Sequence, residues 1–85
     1  YRITEIRLLV AQYPEGDTAH RILVRAEGGV FTTAHDFRQL TRDGDWLVYE
    51  PDPPLENVRI IRVDTLSSPL WVAWKEIQAF GQPMP

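Results

Sequence analysis

No stretch of about ten residues in this chain holds apolar side chains at helical spacing without an interrupting Gly, Pro or β-branched residue. What recurs instead is alternation. In Tyr1 to Gln12, Ile6, Leu8 and Val10 fall on one face and Glu5 and Arg7 on the other, with Ile3 and Leu9 diluting the polar side. A period of two is that of a strand with one buried face. His20 to Glu27 repeats the pattern, setting Ile22, Val24 and Ala26 against Arg21, Leu23 and Arg25.

Breakers separate the runs. Tyr13-Pro14-Glu15-Gly16-Asp17-Thr18 has the composition of a surface loop, and Glu27-Gly28-Gly29 tolerates the positive φ of a tight turn. A strand is expected from Val30 to about Phe37, then an Asp43-Gly44 turn, then a short apolar strand over Trp46-Leu47-Val48-Tyr49. Pro51, Pro53 and Pro54 force an extended connection. Two further β-rich runs, Val58 to Leu66 and Trp71 to Phe80, flank a Ser67-Ser68-Pro69 breaker. About six strands with turns at these intervals predict an all-β antiparallel sandwich. At 85 residues there is room for one domain with a small core.

The net charge of -3 argues against a nucleic-acid binder held by phosphate contacts, and the nine Lys and Arg are scattered. The absence of Cys removes disulfides, thiolate metal sites and thiol nucleophiles. No apolar run is long enough to span a bilayer as a helix. The chain starts inside a strand-like run without Met, as a piece of a longer protein would.

The closing third resembles a known family. Arg59-Ile60-Ile61-Arg62-Val63, a Ser/Pro loop, and Trp71-x-x-Trp74-x-Glu76-Ile77 followed by Phe80-Gly81 are similar to the final strands of discoidin domains, also called coagulation factor five/eight type C domains. The resemblance extends to Tyr1-Arg2-Ile3-Thr4-Glu5-Ile6-Arg7-Leu8, which looks like the run after the family's "dLG" turn. Ile22-x-Val24 with Glu27-Gly28-Gly29 looks like its mid-domain hairpin. The family's first third, with its D-G-x-x-x-T-x-W stretch, has no counterpart here. The resemblance therefore implies a galactose-binding-like jelly roll over residues 1–81 that lacks its N-terminal strands, followed by a tail at 82–85. It also implies a non-catalytic carbohydrate-binding or adhesion module at a cell surface or outside the cell. The alternative is a protein-interaction or structural sandwich with no sugar site.

Aromatic residues are the first candidates for a sugar, because its C–H face stacks on an exposed ring while polar neighbours take its hydroxyls. Tyr13, in its loop, and Trp71, beside the Ser/Pro loop, are the ligand-binding candidates, with ordinary packing as the alternative for each. Trp74 occupies the position of a buried Leu in the family and is expected in the core. Glu76 is the metal candidate, since family members hold a structural calcium through this Glu and oxygens of the N-terminal loop. Calcium needs six to eight oxygens, so without that loop the expectation is a salt bridge from Glu76 to Arg59, Arg62 or Lys75. One of Arg59 and Arg62, on opposite strand faces, is expected to be a partly buried anchor. His20 and His35 read as solvated strand-end residues, and Asp43-Gly44-Asp45 as a plain turn. No nucleophile, base and metal constellation emerges, so no enzyme is expected. Uncovered faces and edges left by the missing strands predict a homo-oligomer or a complementary chain.

Overall fold

The computed structural model describes residues 1–12, 15–68 and 72–83. The described residues form six strands and no helix: β1 (Arg2–Gln12), β2 (Gly16–Arg25), β3 (Thr32–Thr41), β4 (Trp46–Tyr49), β5 (Ile60–Ser67) and β6 (Val72–Gln82). They build two three-stranded antiparallel sheets, ordered β4-β1-β6 and β3-β2-β5. The protein is an all-β sandwich. Ile3, Ile6, Leu8 and Val10 of β1, Ile22 of β2, Phe37 of β3, Leu47 of β4 and Val58 form its core. Burying such side chains is the main driving force, about 1.5–3 kcal/mol for each fully buried large one.

Alternation places Ile6, Leu8 and Val10 inward, as expected, and each is fully buried. Ile3 has the opposite parity and yet is buried. A register shift between Ile3 and Glu5, where β1 pairs with β6, turns Ile3 to the core face. Gly81 sits opposite Ile3. A side chain there would meet the carbonyl oxygen of Arg2 at 1.9 Å, so this crossing of the two strands admits only glycine.

Several boundaries move. The loop expected through Thr18 is shorter, because Gly16, Asp17 and Thr18 already pair with Thr41, Leu40 and Gln39 of a longer β3. The Glu27-Gly28-Gly29 turn forms, with Gly28 at φ 72°, but pairing resumes only at Thr32, and Val30 is exposed. Gly44 has φ 85° in the expected turn. The Pro-rich connection carries one isolated bridge, Leu55 to Ile3, and delivers Val58 to the core before β5 begins.

The flanks of the sandwich differ. On the flank of β3 and β4, the ring of His35 stacks on Tyr49 at 4.4 Å, and the Tyr49 hydroxyl donates to the Ala34 carbonyl at 3.3 Å. On the flank of β5 and β6 the inner face is open. Residues directly opposite in an antiparallel pair share a face. Ile77 lies opposite fully buried Leu8 but is 49% exposed, and Thr65 lies opposite fully buried His20 but is exposed.

Candidate functional site at the loop end

Strand pairing gathers three connections at one end. Gln12, the last residue of β1, pairs with Val72, the first of β6; Gly16 of β2 pairs with Thr41, the last of β3; and Leu9 pairs with Trp46 at the start of β4. The β1–β2, β3–β4 and β5–β6 connections therefore leave from neighbouring positions. Tyr13 and Trp71 lie in two of them, outside the described residues.

Beneath these connections the core becomes polar. Gln12 continues the parity of Ile6, Leu8 and Val10, and Thr18 and Thr41 face it from the other sheet; all three are buried. The Thr41 hydroxyl donates to Gln12 Oε1 and lies 2.8 Å from the Thr18 hydroxyl. Paired in this way, the groups avoid the cost of about 1–3 kcal/mol that an unsatisfied buried polar atom carries.

Asp43 ties three elements together above that layer. One carboxylate oxygen accepts the Gln12 backbone N–H at 3.1 Å, and the other accepts Lys75 Nζ at 2.9 Å. The Lys75 hydrogen bond, and after it that of the Gln12 amide, holds the Asp43 carboxyl below the usual carboxylate range. Asp45 accepts the Arg42 N–H at 2.9 Å and closes the turn. The Asp43-Gly44-Asp45 segment is a turn, as expected, but it also ties the end of β1 to Lys75 of β6.

His20 occupies the next layer. It is fully buried, not solvated at a strand end, because it follows Thr18 on the inward face of β2. Its Nδ1 lies 3.0 Å from the Thr65 hydroxyl, and its ring meets Trp74 edge-on at 4.7 Å. Nε2 has no hydrogen-bond partner among the described residues. Burial lowers its pKa. Trp74 is partly buried and packs on the core, as expected. His35 is half-buried between Tyr49 and Phe37, again not at a solvated strand end.

Glu76 takes none of the three expected cations. Lys75 forms a bulge between the pairs Val10–Trp74 and Leu9–Glu76, so Trp74 points inward while Glu76 turns to the outer face. There it is exposed and accepts the Gln78 amide at 2.8 Å. Lys75 is committed to Asp43, and Arg62 to Asp64 at 2.7 Å. Neither Arg59 nor Arg62 is a partly buried anchor, since both are exposed. Among the described residues no group of three His, Asp or Glu side chains is placed to hold a metal ion.

A surface concavity of 320 Å³ lies at this end, lined by Asp17, Thr18, Ala19, Arg38, Gln39 and Ser67. It offers a carboxylate, a guanidinium, an amide and hydroxyls over a few residues. Sequence composition alone hides it, because Asp17 and Ser67 fall in loop-like segments and the strand pattern of β3 fades at about Phe37. The parity of Gln12 was the one available signal for the polar layer below. Comparison with protein-family models, curated proteins and solved structures finds no match. The class of protein defined here is thus a two-sheet antiparallel sandwich with a polar layer beneath its loops.

Proposed function

We propose that this chain is a non-catalytic carbohydrate-binding or adhesion module of discoidin type, with its ligand at the loop end. The observation that carries the reading is the concavity lined by Asp17, Arg38, Gln39 and Ser67, beside the connections that contain Tyr13 and Trp71. Carboxylate, amide and guanidinium groups take up hydroxyls, and an aromatic ring accepts a sugar's C–H face. The volume falls at the lower end of the usual range for small-ligand sites, in keeping with a single terminal sugar unit. An extracellular or cell-surface setting accompanies this reading. A glycan array followed by calorimetry tests it. Binding is expected to be lost in Tyr13→Ala or Trp71→Ala and weakened in Arg38→Ala, each with unchanged circular dichroism. No binding of the folded protein to any glycan would discard the sugar. The second reading, a protein-interaction or structural sandwich, is favoured by the half-exposed inner face at Ile77.

A further inference from the structure

We propose that the β5 edge is the self-recognition surface of this protein and that a second copy of the chain pairs with it antiparallel, about a two-fold axis through Val63. β5 is an edge strand, with β2 on one side and no strand among the described residues on the other. A two-fold axis perpendicular to an antiparallel pair sets each residue opposite its mirror position about the centre. Read outward from Val63, the sequence is self-complementary. Arg62 then faces Asp64 of the partner subunit, and Asp64 faces Arg62 of the partner subunit. Ile60 faces Leu66 of the partner subunit, and Val63 faces Val63 of the partner subunit. Centring on Arg62 or on Asp64 instead sets a charge against its own kind, which costs stability directly across a pair.

The present structure is poised for this arrangement. Arg62 and Asp64 stand on the outer face, already in contact at 2.7 Å, with side chains 57% and 33% exposed. The Arg62 guanidinium lies 5.8 Å from the centroid of the Phe31 ring. In the pair, the two arginines and two aspartates alternate in a four-charge cluster. Ile60, 37% exposed on that outer face, loses water, as does Leu66, 42% exposed at the bulge where β5 pairs with the start of β2. On the inner face Ile61, Val63 and Thr65, none of them fully buried, gain neighbours. The same axis brings the partner's flank against Ile77, the inner-facing apolar residue left open. Charge complementarity in register thus selects a second copy as the occupant.

Sedimentation and light scattering at micromolar concentration test the proposal. The wild-type chain, of 9.8 kDa, is expected to run at twice its mass. Arg62→Asp and Asp64→Arg each replace two attractions with two repulsions, and each is expected to weaken association more than about tenfold and run as a folded monomer. Mixed in equal amounts, the two variants are complementary and are expected to form a heterodimer. The double variant Arg62→Asp/Asp64→Arg is expected to dimerise alone. Circular dichroism of all forms separates loss of pairing from loss of folding. A wild-type monomer, a dimer indifferent to both single changes, or single variants that stay monomeric when mixed would each overturn the proposal.

Discussion

His20 is the residue whose chemistry is most exposed to the pH of the solvent, although the side chain itself meets none of that solvent. The groups that touch its ring, Thr65 from β5 and Trp74 from β6, are uncharged, as is Phe37 opposite it on β3. Nothing compensates a second proton, so burial keeps the folded-state pKa below the free imidazole value of about 6.5. A depressed pKa means that the unfolded chain binds the proton more readily. The stabilisation is complete above the unfolded pKa and is lost as pH falls from there through the folded pKa. The melting temperature is therefore expected to be level from pH 8 to about 7 and to decline as the pH falls below about 6.5. His20→Gln, which does not titrate, should remove that decline. A level profile in the wild-type protein over the same interval would refute the assignment. Asp36, bonded by Arg21, and Asp43, bonded by Lys75 and the Gln12 amide, have lowered pKa values. Their contribution is present above the ordinary carboxylate pKa and disappears only in more acidic solution, so the two windows are separable.

At the scale of the strand, bulges decide what sequence parity does not. The shift between Ile3 and Glu5 brings an odd-parity isoleucine into the core, and its partner position admits no side chain. Gly81→Ala forces a β-carbon against the Arg2 carbonyl, and such crowding typically costs about 1–3 kcal/mol. Urea denaturation is expected to show a lowered midpoint with an unchanged slope. An unaltered midpoint would mean that the Arg2–Ile3 backbone yields freely. The six strands and their antiparallel class were legible because Ile6, Leu8, Val10 and Ile22 obey strict alternation between Gly, Pro and Asp breakers. The outward turn of Glu76 was not legible, because its cause is one extra residue at Lys75, a feature of the pairing between distant strands. His20 was misread as solvated for a similar reason. Its strand begins at Gly16, inside a segment whose Pro, Gly and Asp composition is that of a loop, so it sits mid-strand.

For the whole molecule, the two flanks carry different consequences. The β3–β4 side is closed by the Tyr49 and His35 contacts, while the β5–β6 side leaves Ile77 and Thr65 to solvent. If a second copy closes that side, mass action makes the melting temperature rise with protein concentration. A melting temperature independent of concentration over two decades would count against it. The order of strands in the sheet that holds most of the core has a further effect. β1 lies between β4 and β6, and Arg2 pairs with Gln82. β1 is synthesised before both of its neighbours, and waits first for β4 and much longer for β6. The β2–β3 hairpin, joined through a short turn, is by contrast free to close early. Loop closure across nearly the full chain precedes the reward of β1–β6 pairing, which places refolding in the millisecond-to-second range of β-sandwiches. β4 can cover one edge of apolar β1 first, but the other stays open until β6 arrives, and that nascent interval is when the chain most needs a chaperone.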